Sequence, residues 1–221
     1  MTRGSFITLE GIEGAGKSTV ARWVCEWLRE HALRVTLTRE PGGTALAERV
    51  RQVVLERAEE RLSAVTETLL MFAARGIHLE NLIRPALDRG EWIVCDRFTD
   101  ATRAYQGGGR GVDPAWIESL ASQVQGDLQP DCTLLLDLPV AVGLERAKSR
   151  RAGEADRFEA ETQAFFERVR AAYLALARRE PGRIHIIDAS APLGEVQRQV
   201  AAVLGQLPLA GASITRGGQS P

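Results

Sequence analysis

Short apolar runs alternate along this chain with longer segments in which apolar residues recur at helical spacing. The short runs predict strands because each is followed by Gly, Pro or Asp signals or by a helical segment. The predicted strands are Phe6–Leu9, Val35–Thr38, Trp92–Cys95, Thr133–Asp137 and Arg183–Ile187. Because such alternation is typical of βα units, we expect an α/β fold with a five-stranded parallel sheet flanked by helices.

The segments of helical period predict amphipathic helices. In the first of them, Val20, Val24 and Leu28 share one face, as the i, i+4 spacing requires. The predicted helices are Lys17–Glu30, Thr44–Leu55, Thr66–Asp88, Pro114–Val124, Val140–Arg150, Ala160–Arg179 and Leu193–Leu204. We expect one domain over residues 1–206. Residues 207–221 predict a disordered tail, because they are rich in Gly and Ser and lack apolar periodicity.

The composition favours a protein with one hydrophobic core and disfavours nucleic-acid and membrane partners. A chain of 221 residues with 44% hydrophobic residues can bury one full core. Its net charge of −1 provides no basic field, so we expect no nucleic-acid partner. The odd, widely spaced Cys25, Cys95 and Cys132 suit reduced buried thiols and predict a cytoplasmic protein. No apolar run approaches the roughly 20 residues that span a bilayer, and Met1–Gly4 lead into a strand without a signal sequence, so no membrane is expected.

The strongest motif follows the first predicted strand. The run Gly11-Ile-Glu-Gly14-Ala-Gly16-Lys17-Ser18 fits the Walker A pattern and opens a predicted helix. Its glycines allow backbone amides to surround a β-phosphate, Lys17 can reach the β and γ oxygens, and Ser18 can hold Mg²⁺. A glycine-rich turn without a ligand is the alternative. We expect ATP and Mg²⁺ as cofactors, with contacts from Gly11, Glu13, Gly14, Ala15, Gly16, Lys17, Ser18 and Thr19.

An acid inside this anion cradle needs an explanation. Glu13 repels phosphate unless it points away or is neutralised by a cation from elsewhere in the fold. Phosphoryl transfer also needs positive charge at the transferred group, which mobile arginines commonly supply. The stretch around residues 146–159 is dense in cations and predicts a short mobile lid. A solvated, salt-bridged turn is the alternative for such a charge run.

Two arginines follow neighbouring predicted strands. Arg39 follows the second strand, and Asp96-Arg97 follows the third. Asp96 occupies the position of a Walker B-like contact to Mg²⁺. Because strand ends meet at one edge of a parallel sheet, Arg39 and Arg97 are expected to bind a second anion, the phosphate of a monophosphate acceptor. A solvated surface arginine is the alternative for Arg39.

These motifs together resemble the bacterial thymidylate kinase family. The matching segments are the Walker A run, TREPGGT at 38–44, LLMFAAR at 69–75 and DRFTDATRAYQGGGRG at 96–111, and the likeness extends over about residues 5–205. The resemblance implies a P-loop nucleoside monophosphate kinase fold, transfer of phosphate from ATP to dTMP, and a homodimer.

The resemblance also implies roles in nucleoside binding. Phe72 would stack on thymine, and Arg75 and Gln106 would hydrogen-bond its edge, with Thr102 nearby. Tyr105 would lie under the sugar and disfavour a 2′-hydroxyl. From the residues alone, Phe72 is equally explained as a core aromatic, and the glycines at 107–109 as a mobile loop.

Further roles concern the phosphates. By the resemblance Arg39 and Arg97 grip the dTMP phosphate, and Pro41 and Glu10 lie on the acceptor side of the reacting centre. The catalytic residues implied are Lys17, Arg97, Glu10 and a lid arginine.

Arg151 aligns best as that lid arginine. Arg150 is the alternative, because this sequence has one extra residue, Ala152. Arg146 would lie against adenine, and Arg157 would bridge the phosphates in the closed state.

Three other functions remain as alternatives. One is a different nucleoside monophosphate or deoxynucleoside kinase. Another is a nucleotide-dependent switch, which would need a guanine-recognition motif of the Asn-Lys-x-Asp kind; the chain has lysine only at positions 17 and 148. A structural α/β module would leave the Walker A run unexplained.

Overall fold

Five parallel strands form the sheet. The structure, a computed structural model, describes residues 3–56, 60, 62–150, 157–158 and 160–208. The strands of these residues are β1 Phe6–Glu10, β2 Val35–Arg39, β3 Trp92–Asp96, β4 Cys132–Asp137 and β5 Ile184–Asp188. Their order across the sheet is β2-β3-β1-β4-β5. The predicted five-stranded parallel sheet is confirmed.

The register brings the functional strand ends to one edge of the sheet. Leu9 pairs with Asp96 across β1 and β3, and Arg39 pairs with Asp96 across β2 and β3. β1 is buried throughout and β4 is buried except at Asp137, and most of their residues are apolar on both faces, as expected when helices cover a parallel sheet. The residues after β1, β2 and β3 therefore converge on one crevice at the carboxyl edge.

Helices cover both faces of this sheet. They are α1 Lys17–Glu30, α2 Ala45–Leu55, α3 Ala64–His78, α4 Arg84–Asp88, α5 Thr99–Thr102, α6 Pro114–Gln125, α7 Val140–Arg150, α8 Gln163–Arg179 and α9 Leu193–Leu204. Side-chain caps set several of their starts. The hydroxyl of Thr44 accepts from the Ala47 amide, and that of Thr162 accepts from the Phe165 amide. In the described part of the chain, no helix is both long and apolar enough to cross a membrane.

The predicted helix Thr66–Asp88 is interrupted. Its middle, Leu79–Ile83, is a π-helical segment between α3 and α4. Pro85 stands in the first turn of α4 and has no amide hydrogen to donate to the preceding turn. The wider π turn accommodates that missing donor, so the helical run continues without regular α geometry.

The glycine-rich segment, for which a mobile loop was the alternative, is helical. After α5, Arg103–Gly109 forms a π-helical segment that packs on α8. A Cβ on Gly108 would lie 2.5 Å from the Ala172 Cβ, and a Cβ on Gly109 would lie 2.5 Å from the Phe165 ring. These glycines therefore permit close packing against α8, and the alternative of a mobile loop is wrong.

Candidate active site

The Walker A run forms a loop that leads into α1, and several of its glycines have left-handed backbone conformations. Gly11, Gly14 and Gly16 all have positive φ, between 74° and 137°. A Cβ on Gly14 would lie 1.9 Å from the Gly143 carbonyl oxygen on α7, so the loop is pressed against that helix. Among the described residues no side chain caps α1. Its first amides can therefore meet an anion.

Lys17 lies buried within the loop that it serves. Its Nζ donates to the carbonyl oxygens of Gly11 at 3.0 Å and Ile12 at 2.9 Å. Burial lowers the pKa of Lys17 to about 8, and the positive charge of Arg97 acts in the same direction. Beside it, the Ser18 hydroxyl donates to the Asp96 carboxylate at 3.0 Å, which brings two hard oxygen ligands together.

Arg97 neutralises the acid in the cradle. Its Nη2 donates to Glu13 Oε1 at 2.9 Å, and the Tyr105 hydroxyl donates to Glu13 Oε2 at 2.7 Å. A second arm, Nη1, donates to the Gly11 carbonyl oxygen at 3.0 Å. The guanidinium also lies over the Tyr105 ring, 4.6 Å from its centroid. The cation that Glu13 requires thus comes from the end of β3.

A cavity of about 150 Å³ opens beside this cluster. It is bordered by α2, α3, α5 and the π-helical segment at Arg103–Gly109. Its lining consists of Glu13, Glu40, Pro41, Arg51, Leu55, Met71, Arg75, Arg97, Phe98, Ala101, Thr102, Tyr105, Gln106 and Phe158. We call it the acceptor cavity. The expected nucleoside-site residues Arg75, Thr102, Tyr105 and Gln106 are all in it.

A larger cavity of about 370 Å³ lies between the acceptor cavity and the Walker A loop. Glu13, Glu40, Arg51 and Arg97 border both cavities. Its remaining lining comprises Gly14, Gly16, Lys17, Ser18, Arg39, Asp96 and Ala147. We call it the phosphate cavity, since Lys17, Arg39, Arg51 and Arg97 bring four cationic side chains to it.

Arg75 is fixed by a buried polar network. Its Nε donates to Glu40 Oε2 at 2.7 Å, and its Nη2 donates to the Thr102 hydroxyl at 3.1 Å. The other Glu40 oxygen lies 3.0 Å from His78 Nδ1, and His78 Nε2 lies 2.7 Å from the Thr38 hydroxyl. Arg75 Nη1 is buried and, within the described part of the chain, has no hydrogen-bond partner. This donor is available to a ligand in the acceptor cavity.

Glu10 lies behind the site. Its Oε1 accepts from the Phe98 amide at 2.7 Å, and its Oε2 accepts from the Tyr173 hydroxyl at 2.6 Å. Burial, and next the charge of Asp100, raise the pKa of the Glu10 carboxyl to about 8. Glu10 is absent from the lining of both cavities. Its contacts hold the turn after β3, where Arg97 has a φ of 72°.

A third cavity, of about 640 Å³, borders the other side of the Walker A loop. It is lined by Ala15, Gly16, Thr19, Val20, Arg146, Ser149, Ala189, Ser190, Ala191, Pro192, Leu193 and Val196. Arg146 Nη1 donates to the Ala189 carbonyl oxygen at 2.8 Å. The expected adenine-side residue Arg146 therefore lies beside a cavity adjoining the loop.

Comparison with known proteins identifies the family. The thymidylate kinase family model matches residues 9–200. A thymidylate kinase of Pseudomonas fluorescens (strain SBW25) is 57% identical over 204 residues, which cover 92% of this chain and 96% of that protein. The chain belongs to the thymidylate kinase family. A thymidylate kinase of Pseudomonas putida (strain W619) is 59% identical over 199 residues, which cover 90% of this chain and 95% of that protein.

A solved structure extends the family likeness to three dimensions. The crystal structure of thymidylate kinase from Ehrlichia chaffeensis matches with a TM-score of 0.73 at 34% identity. The match covers 91% of this chain and 99% of that one. The predicted P-loop nucleoside monophosphate kinase fold is therefore confirmed.

The aromatic residue expected to stack on thymine, Phe72, lies against the Arg75 guanidinium, whose carbon is 4.9 Å from the ring centroid. Phe72 packs in an apolar cluster with Val112, Ile117 and Ala121 and is absent from the lining of the acceptor cavity. Met71 lines the cavity instead. Met71 and Arg75 are spaced i, i+4, so they share the cavity face of α3, whereas Phe72 is rotated toward α6.

The arginines expected to contact phosphates differ in where the structure places them. Arg39 borders the phosphate cavity, where a bidentate pair with Glu48 at 3.2 and 2.9 Å holds its half-exposed side chain. Arg157, expected to bridge phosphates in the closed state, ion-pairs with Glu67 at 2.6 Å in this structure and does not border the phosphate cavity. Arg151 lies outside the described residues, as do the Arg150 side chain and positions 209–221 of the expected tail.

Several residues of the site were absent from the sequence prediction. Arg51 borders both cavities and donates to the Pro41 carbonyl oxygen at 2.9 Å. It stands four residues from each of Ala47 and Leu55 on α2, so an arginine on the inward face of an amphipathic helix was the available signal. Tyr173, on α8, gave no comparable signal, because only the fold brings it to Glu10.

Proposed function

We propose that this protein transfers the γ-phosphoryl group of ATP to dTMP, giving dTDP and ADP. The observation that carries the proposal is the phosphate cavity, which has the Walker A loop on one side and opens to the acceptor cavity on the other. Two anions can meet there with cations between them. Membership of the thymidylate kinase family supports dTMP as the acceptor.

The reaction needs charge neutralisation more than covalent chemistry. The backbone amides of the loop would hold the β-phosphate, and Lys17 would exchange its contacts with the Gly11 and Ile12 carbonyl oxygens for phosphate oxygens. Arg97 stands between the two sites and would spread the charge of the transferred group, with Arg39 on the acceptor phosphate. The acceptor is already an anion, so no general base is strictly required. A lid arginine, Arg151 or Arg150, remains part of the proposal.

Magnesium fits the residues at the edge of this cavity. Mg²⁺ prefers oxygen ligands and is commonly held by one or two carboxylates together with substrate phosphates. Asp96 and the Ser18 hydroxyl, 3.0 Å apart beside the loop, are such a pair. When bound, the ion would neutralise charge on the phosphate oxygens of ATP.

The acceptor cavity suits a pyrimidine nucleoside. Arg75 Nη1 is a buried donor without a partner among the described residues, and a ring carbonyl oxygen could accept from it. Gln106 and Thr102 lie in the same lining, and Met71 and Phe98 supply apolar surface for the ring. Tyr105 would lie beneath the sugar.

Assembly and location are part of the proposal. We propose a homodimer through α2 and α3, because Leu46, Val53, Val65 and Leu69 on these helices are each about half exposed. Light scattering tests it. A cytoplasmic location is supported by Cys25, Cys95 and Cys132, which are all buried free thiols.

A coupled assay of ADP release tests the function. Each nucleoside monophosphate is supplied as acceptor with ATP and Mg²⁺, together with thymidine and a no-acceptor control. We expect dTMP to give the highest kcat/KM. Comparable turnover of another monophosphate, or of thymidine, would instead support a different nucleotide or nucleoside kinase, and nucleotide binding without turnover would support a switch.

A further inference from the structure

A fully buried carboxylate lies directly behind the acceptor cavity. Glu67 is on the first turn of α3 and is 0% exposed. The Gln106 side-chain amide donates to Glu67 Oε1 at 2.6 Å. Gln106 lines the acceptor cavity. Glu67 therefore restrains a residue of the site without lining the cavity itself.

The same carboxylate holds two arginines. Arg157 Nη1 lies 2.6 Å and Arg110 Nε 3.3 Å from Glu67 Oε2. Arg110 also ion-pairs with Glu161 at 2.5 Å. Two carboxylates thus face two guanidinium groups, and removing the Glu67 charge leaves the balance positive behind the acceptor cavity.

Arg157 joins this cluster to the wall of the acceptor cavity. Its Nε donates to the Val54 carbonyl oxygen at 3.0 Å, and its amide donates to the Leu55 carbonyl oxygen at 3.3 Å, at the end of α2. The next residue, Phe158, is buried, lines the cavity and lies edge-on to Tyr105, with ring centroids 5.9 Å apart. The position of Arg157 therefore sets the position of an aromatic wall of the cavity.

We propose that Glu67 is a positioning residue for the acceptor nucleoside. It holds Gln106 directly and holds Phe158 through Arg157. One buried carboxylate therefore positions residues on two sides of the acceptor cavity. This inference rests on the proposed function, since it concerns the site for dTMP. It predicts that the Glu67 charge matters for acceptor binding and has little influence on ATP.

The test is a double-mutant cycle on Glu67 and Arg157. Glu67→Gln keeps the shape and an oxygen for Gln106 but removes the charge. We expect the KM for dTMP to rise about tenfold, with kcat and the KM for ATP within about threefold of wild type, as for loss of one charged contact. Arg157→Gln should act in the same direction. The double variant should be no worse than the more affected single variant, because both changes break one contact.

The control is Glu118→Gln, which removes a carboxylate from its bidentate pair with Arg103 on α6. It should leave the KM for dTMP unchanged. An unchanged KM for dTMP in Glu67→Gln, or additive effects in the double variant, would overturn the inference. If Glu67→Gln does not fold, Arg157→Gln alone decides, since a wild-type KM in that variant also overturns it. Failure of wild type and control to phosphorylate dTMP would instead reject the proposed function.

Discussion

The two sides of the proposed active site would bind anions by different physical means. The Walker A side uses backbone amides, positive-φ glycines and one buried lysine, all within Gly11–Ser18. The acceptor side uses side chains from β2, from α3 and from the residue after β3, each oriented by a carboxylate. Glu48 holds Arg39, Glu40 holds Arg75 and Glu13 holds Arg97.

This difference has consequences for stability as well as binding. A loop of amides is complete once its backbone conformation forms, so its function depends on glycines and on close approach to α7. The acceptor arginines depend on partners distant in sequence. Where such a pair is buried, removing one member leaves a charge without compensation. Substitutions of buried acceptor-side arginines should therefore affect stability and acceptor KM together, and those on the Walker A side mainly turnover.

The largest expected effect is on the Walker A side. Lys17→Ala should lower kcat by about 10³-fold, because a preorganised cation at the transferred group is lost. The fold should be retained, since burial already disfavours the charged form of this side chain. Coupled ADP release and thermal unfolding measure the two quantities. Arg89→Ala, which removes an exposed cation remote from the cavities, is the control; full activity in Lys17→Ala would contradict the assignment.

Substitution of the buried acceptor arginine, Arg75, should affect stability and the KM for dTMP more than turnover. Arg75→Ala should lower the free energy of unfolding by about 3 kcal/mol, because Glu40 is left as a buried carboxylate without its guanidinium partner. The KM for dTMP should also rise. Urea unfolding and steady-state kinetics measure both. Arg75→Lys should restore much of the stability but little of the KM, since the planar fork is absent. Wild-type stability of Arg75→Ala would show that the buried pair is not needed.

Substitution of the exposed acceptor arginine, Arg39, should affect the KM for dTMP but hardly affect stability. Arg39→Ala should change the free energy of unfolding by less than about 1 kcal/mol, because its pair with Glu48 is solvent-exposed. The KM for dTMP should still rise about tenfold through loss of a phosphate contact. The same two assays measure it. An unchanged KM would remove Arg39 from the acceptor site.

The buried carboxylate behind the site should make the stability of the fold depend on pH. The folded protein raises the pKa of Glu10 from 4.5 to about 8, so the stability from its protonated form is full below about pH 4.5 and is lost as pH rises to 8. Glu10→Gln should therefore flatten the fall in unfolding free energy between pH 5 and 8. Urea unfolding without nucleotide or metal at four pH values measures this. Parallel profiles for the two proteins would contradict it.

The sequence predicts local features of this molecule better than contacts between distant segments. The Walker A loop is contiguous, and its residue types were sufficient to predict it. Arg39 and Arg97 were predictable as strand-end residues, because parallel strands end at one edge. The packing of Phe72 on Val112 and Ile117 was not predictable, because both partners lie forty or more residues away in sequence.

Buried charges were the hardest feature to predict. Glu67 stands on a helix, where a charged residue is usually solvated. Its burial depends on partners many residues away, Gln106 and Arg157. The helical packing of Gly108 and Gly109 was missed for the same reason, because their packing partners on α8 follow more than fifty residues later.

A crystal structure with dTMP and a non-hydrolysable ATP analogue tests the central claim most directly. The account predicts that Arg97 contacts a phosphate oxygen between the two nucleotides, that Arg39 contacts the dTMP phosphate, and that Lys17 has exchanged its carbonyl contacts for the β- and γ-phosphates. A complex in which Arg39 and Arg97 both point away from every phosphate would contradict it.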